Sequence, residues 1–230
     1  MNNPLHDRLI GWIDAHFDAQ VAFLQDVVRI PTDTPPGNNA PHAEAVAGML
    51  EAAGWPVERH AVPAQLVREH GLESITNLVV RRRYGAGGPT LALNAHGDVV
   101  PPGDGWTRPP YGAIIEDGYL YGRAAAVSKS DFATYVFAVR ALEALDVPLA
   151  GAVELHFTYD EEVGGLLGPG RLLAQGVVKP DYVIAAGFGR VLRRHGVAAS
   201  PAEVIEVRRV LGLLGARDLG ALRWALRATC

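Results

Sequence analysis

Two apolar runs, at 90–95 and 152–158, stand on either side of a stretch with helical periodicity at 128–146. In that stretch Phe132, Tyr135, Val136, Val139 and Leu142 share one face. A strand, a helix and a second strand in that order predict an α/β layer structure. Both apolar runs end in chemistry-bearing residues, the first in His96-Gly97-Asp98 and the second in Asp160-Glu161-Glu162. Ligands of open α/β sheets collect at the carboxyl ends of strands, so the two clusters share one predicted address.

The rest of the chain fits the same plan. Residues 4–29 carry apolar positions at helical spacing, 30–39 is a loop dense in Pro, Gly and Asn, and 41–54 is a second amphipathic helix closed by Gly54. Strands are expected at 57–62 and 77–82, and a hairpin at 112–123 with Asp117-Gly118 as its turn. A helix at 166–175 and a strand at 181–186 follow. The expected fold is α/β, a mixed, mostly parallel sheet with helices on both faces. From about residue 188 the text becomes rich in Arg, Leu and Ala, with short helices expected at 201–214 and 217–228.

Composition narrows the function classes. The chain of 230 residues is 49% hydrophobic and 20% charged, with a formal net charge of −4. That balance suggests neither a nucleic-acid partner nor a membrane surface, and no apolar run approaches the ~18 residues of a membrane helix. Residues 188–230 hold eight Arg, no Lys and three acids, a balance of 8 − 3 = +5, which leaves −4 − 5 = −9 for the remainder. Arg without Lys in Leu- and Ala-heavy text is what a shifted reading frame in a GC-rich gene would give, and it accounts for a basic tail without an anionic partner. The single cysteine, Cys230, forms no internal disulfide and fits a reducing, cytoplasmic setting.

Each cluster has two readings on its own. His96 at a strand end can ligate a metal while Asp98 holds its other ring nitrogen, or the turn can be a solvated one that uses Asp98 as a local cap. Adjacent Glu161 and Glu162 can divide metal binding and proton transfer, or they can form an exposed acidic turn.

Taken together, the two clusters and the text around them resemble the zinc metallopeptidase and amidohydrolase family of acetylornithine deacetylase, succinyl-diaminopimelate desuccinylase, aminoacylase and glutamate carboxypeptidase. The matching passages are VVRIPTDTPPGN, LVREHGLESITNLVVRRR, LALNAHGDVVPPGDGWTRPPYGAIIEDGYLYGR, TYDEEVGG and KPDYVI, in family order over about residues 5–187. The resemblance implies a zinc-exopeptidase-like catalytic domain over 1–187, incomplete and without a recognisable lid or dimerisation domain, followed by a divergent tail at 188–230. It implies His96 and Glu162 as zinc ligands, Asp98 as the carboxylate behind His96, and Glu161 as the general base. The implied substrate is a small peptide or an N-acyl amino acid. The family's two zincs and its homodimer are implied with it.

The sequence departs from that pattern at positions that matter. Where the family places an Asp that bridges the two zincs, this chain has Val127. Asp131 lies four residues on, and Ser128-x-x-Asp131 before an apolar-periodic helix reads as a capping box. Lys129 reads as a surface or hinge residue at the helix start. Gly187 stands where a further acid is expected, and His195 matches no family position. One zinc or none is therefore expected here, with weak activity or none. The alternatives are a non-catalytic binding protein or degenerate fragment of the same fold, and a single-metal hydrolase that uses Asp131.

Overall fold

The computed structural model describes residues 4–185. The expectations for Gly187, His195, the tail at 188–230 and its two short helices lie outside the described residues. In chain order the elements are α1 (Pro4–Ala15), α2 (Phe17–Arg29), α3 (Ala40–Ala52), β1 (Glu58–Ala61), α4 (Ala64–Glu69), β2 (Thr76–Arg83), β3 (Thr90–His96), β4 (Ile114–Glu116), β5 (Tyr119–Tyr121), α5 (Lys129–Ala144), β6 (Ala152–Thr158), α6 (Pro169–Ala174) and β7 (Tyr182–Ala185). The single helix expected at 4–29 is two. His16 makes the break: its ring stacks on Trp12 at 3.8 Å and its Nδ1 hydrogen-bonds the Trp12 carbonyl at 2.7 Å. That carbonyl is the acceptor the His16 backbone N–H would use in a continuous helix, and the N–H goes to Ile13 instead. Helix α4 was not expected.

The main sheet has the order β1-β2-β6-β3-β7. β6, β3 and β7 are parallel, whereas β1 and β2 join antiparallel. The sheet is mixed and mostly parallel, as expected: β1, β6, β3 and β7 share one direction, and β2 runs against them. The reason lies in the link at 84–89, which is too short for a crossover, so β3 must run against β2. β6 then enters between them, and Gly151 passes so close to the Pro89 carbonyl that a Cβ would collide with it. The smaller hairpin β4–β5 turns at Asp117 (φ 51°) and Gly118 (φ 79°), both at positive φ as a type I′ turn requires.

One face of the sheet is aliphatic and aromatic. Leu78, Val80, Leu93, Leu155 and Phe157 point from it into a core closed by Phe132, Tyr135, Val136 and Val139 of α5. Phe132 stacks on Phe157 at 4.0 Å, and neither ring is exposed. Burying each contributes about 1.5–3 kcal/mol. On the opposite face Leu172 of α6 packs on Val79 and Val178. Helices therefore cover both faces, and the strand ends remain free to carry loops.

Candidate metal centre

β3 and β6 run parallel with His96 opposite Thr158, so both expected clusters leave the sheet at the carboxyl ends of its central strands. The Gly97 N–H donates to the Thr158 carbonyl at 2.8 Å. A Cβ on Gly97 would meet the Tyr159 ring, so only glycine fits there. The loop at 30–39 clamps the same turn: Thr32 Oγ1 donates to the Gly97 carbonyl at 2.6 Å, Val99 N–H to Thr32 O at 3.1 Å, and Thr34 N–H to Val99 O at 2.8 Å. His96 is only 4% exposed.

The His96 ring is oriented from one side. Its Nδ1 lies 3.0 Å from the Asp98 backbone carbonyl and 3.5 Å from Asp98 Oδ1. The shorter contact is to the carbonyl, so main chain and carboxylate together direct Nε2 outward. Burial alone pushes the imidazole pKa down. The Asp98 carboxylate, by hydrogen bonding and charge, and then the charge of Glu161 outweigh burial and raise it to about 9. Asp98 is fully buried, and its Oδ2 accepts the Glu162 backbone N–H at 2.9 Å.

The three consecutive acids are not one repelling cluster. Asp160 turns inward, where its Oδ2 accepts the Leu167 N–H at 2.5 Å. Burial raises its pKa to about 6, against the hydrogen bonds from Leu167 and Gly168 that hold it down. Glu161 and Glu162 remain at the mouth, on a short 3-10 helix, Glu161–Val163. Glu161 Oε2 stands 3.8 Å from His96 Nε2. One donor atom each from His96, Glu161 and Glu162 lie within 4.8 Å of one another. An imidazole nitrogen and a carboxylate oxygen are donors that suit a divalent cation, and the second carboxylate stands beside them, where it can reach a water on that cation.

Among the described residues, His96, Glu161 and Glu162 form the one group of three such donors that lie close together. The Val127 side chain carries no donor, and the residue is 53% exposed. Asp131 is not in the three-residue group. It is half-buried, and burial raises its pKa against a hydrogen bond from Ser128. Ser128 does occupy the N-cap position of α5, but its hydroxyl makes no cap bond and accepts the His96 backbone N–H at 3.2 Å. The expected capping box is therefore replaced by a bridge from the helix start to the His96 strand. Lys129 is likewise not a surface residue. It is wholly buried, with Nζ donating to Ile30 O at 2.7 Å and lying 5.5 Å from the centre of the Tyr111 ring. Burial lowers its pKa to about 7, with the charge of Asp33 opposing.

Sequence reasoning placed His96, Asp98, Glu161 and Glu162, and the structure brings all four together. It did not single out Thr32, and it read Ser128 as a cap and Asp160 as one of three clustered acids, whereas all three hold the turns. Their signal was position alone, each lying beside a glycine-bearing or ligand-bearing segment. The other histidines stay outside the group. His42, for example, is buried between Tyr159 Oη at 3.0 Å and Val27 O at 3.1 Å. Among the described residues, no helix is long and apolar enough to cross a membrane.

Comparison with known proteins agrees with this geometry. Residues 92–212 match the peptidase family M20/M25/M40. Succinyl-diaminopimelate desuccinylase of Rhodospirillum centenum is 36% identical over 169 residues, which cover 73% of this chain and 40% of that enzyme. The desuccinylase of Gluconobacter oxydans is 38% identical over 143 residues, 62% of this chain and 34% of the enzyme. The chain thus spans about 40% or less of the length of these curated relatives. Human carnosine dipeptidase 1 superposes with a TM-score of 0.64 at 22% identity, covering 80% of this chain and 41% of that one. The yeast di-peptidase Dug1p superposes with a TM-score of 0.67 at 18% identity, with the same coverage. Both structures share the fold.

Proposed function

The chain belongs to peptidase family M20/M25/M40, and from that premise we propose that it carries a one-cation remnant of a metal-dependent amide hydrolase centre. The observation that supports this reading most is the convergence of His96, Glu161 and Glu162 donor atoms within 4.8 Å at the carboxyl ends of β3 and β6. In it, His96 Nε2 and Glu162 hold zinc, Asp98 keeps the imidazole turned outward, and Glu161 is the base. Zinc, when bound, supplies Lewis-acid polarisation of the scissile carbonyl. Glu161 takes a proton from the attacking water as the new C–O bond forms. It returns that proton to the leaving nitrogen as the C–N bond breaks, giving a carboxylic acid and an amine. A small peptide or N-acyl amino acid as substrate and a cytoplasmic setting belong to the same proposal.

With one cation, a donor-free Val127 and no further ligand among the described residues, turnover by this chain alone is weak or absent. The test is zinc content after loading and buffer exchange. About one zinc per chain, lost in Glu162→Gln and kept in Glu161→Gln, is the expected result. Two zincs would overturn the one-cation reading. None would leave the second reading, a non-catalytic binding protein of the same fold, which the exposed valine at the bridging position favours. Saturable hydrolysis of N-acyl amino acids that disappears in Glu161→Gln would show that one cation suffices.

A further inference from the structure

One buried amine has no part in the proposed chemistry. Lys129 is wholly buried, and its Nζ has a single hydrogen-bond acceptor among the described residues, Ile30 O at 2.7 Å. An amine buried with one hydrogen bond is unfavourable. A residue that lowers stability where it stands marks a position kept for another reason. Ile30 is the C-cap of α2, at the end of the helix where the last carbonyls have no partners within it. Lys129 satisfies the Ile30 carbonyl there and fixes the direction in which the chain leaves α2 for the loop at 30–39. Three residues on, Tyr111 Oη donates to Asp33 Oδ1 at 2.5 Å, and the Tyr111 ring lies 5.5 Å from Lys129 Nζ. Between these two anchors stands Thr32, whose hydroxyl donates to Gly97 O and whose carbonyl accepts the Val99 N–H. Ser128, the residue before Lys129, accepts the His96 backbone N–H. The start of α5 therefore holds the His96–Asp98 turn from two sides, through Ser128 on the strand and through Lys129 on the loop.

We propose that Lys129 is a positioning residue of the metal centre: by tying the end of α2 to the start of α5 at Ile30, it holds the loop at 30–34 against the turn that directs His96 Nε2 outward. The role is indirect and runs from Lys129 through Ile30 and Thr32 to Gly97. Its consequence for zinc rests on the one-cation reading above, whereas the clamp itself belongs to the metal-free fold.

The test reads amide hydrogen exchange of the metal-free full chain and, in parallel, zinc affinity, in wild type, Lys129→Met, Thr32→Val and the double variant. In Lys129→Met the Gly97 and Val99 amides should exchange about tenfold faster, while core amides of β6 such as Leu155 exchange no faster than in wild type. Zinc affinity should fall about tenfold, the lower end for groups behind a histidine ligand. Thr32→Val should act in the same way, and Thr32→Ser, which keeps the hydroxyl, should restore the wild-type values. Because both residues act through one loop, the double variant should lose little more than the larger single loss. Unchanged Gly97 exchange in Lys129→Met, equal acceleration of turn and core amides, an unchanged zinc affinity, or losses that multiply in the double variant would each overturn the proposal. A wild type that holds no zinc, with Gly97 still loosened in Lys129→Met, would overturn the one-cation reading and leave the clamp standing.

Discussion

The buried carboxylate of Asp98 accepts the Glu162 backbone N–H at 2.9 Å, across 64 residues of sequence, while its other oxygen stands 3.5 Å from His96 Nδ1. One side chain therefore sets both the ring that would hold a cation and the turn that carries the carboxylates. Asp98→Asn keeps the shape but removes the charge. Zinc affinity should fall about 10–100-fold, as for other carboxylates behind a histidine ligand. Competition against a chelating dye measures this. An unchanged affinity would reduce Asp98 to a local turn residue.

His96 gives a pH prediction. Its pKa is about 9 in the folded metal-free chain, against 6.5 when unperturbed. The stabilisation from this shift is complete below pH 6.5 and is lost as pH rises through 9. Zinc must displace the same proton, so its apparent affinity should climb from pH 6.5 to about 9 and then level. His96→Gln should abolish both trends. Urea midpoints of the metal-free protein across that range, wild type against variant, check the first. An affinity that does not change with pH would contradict the second.

Lys129 works in the opposite direction. Its folded pKa of about 7 lies below the ordinary 10.5. Between those values the unfolded chain binds the extra proton, so this group makes stability rise with pH and its penalty is complete below pH 7. Relative to wild type, Lys129→Met should gain most at pH 7, and the gap should narrow toward pH 10. A gap that stays constant with pH would mean that the ammonium is solvated in the folded chain.

How much of this was legible in the sequence depends on the range of the cause. The hairpin turn at Asp117-Gly118 and the strands ending at His96 and Thr158 were readable, because a positive-φ turn and a continuous apolar run are local signals. Which strand is reversed was not, since the direction of β2 follows from the short link at 84–89 and from β6 entering between β2 and β3. Lys129 and Ser128 were misread for the same reason. A lysine and a serine at a helix start are normally a solvated residue and a cap, and only the His96 strand and the Ile30 carbonyl packed against them give these two other roles. His16 broke a helix that periodicity carried straight through, by taking a carbonyl from the backbone.

The core gives a prediction independent of the site. Phe132 and Phe157 are stacked and fully buried, joining α5 to the strand that leads to Glu161. Truncating either ring to alanine leaves a cavity in a face that cannot collapse around it, at a loss of about 3–5 kcal/mol in urea unfolding. Because Tyr159 and the turn carrying the acids continue from the same strand, Phe157→Ala should also weaken zinc binding more than Phe132→Ala. Equal effects on zinc would mean that the turn is held by Asp98 and Asp160 alone.

Position 127 gives the most direct test of why one cation is expected. Val127 precedes Ser128, whose hydroxyl meets the His96 backbone N–H, so the loop at 124–127 borders the metal group. Val127 is half exposed, and a carboxylate there would add negative charge without displacing core atoms. Val127→Asp should tighten zinc binding at least about tenfold, as extra ligand charge does at other cation sites. The stoichiometry should stay at one, since a second site would need further donors that the described residues do not provide. A rise to two zincs would show that valine at this position was the sole obstacle to a second cation. An unchanged affinity would show that the loop carries residue 127 away from His96 and Glu162.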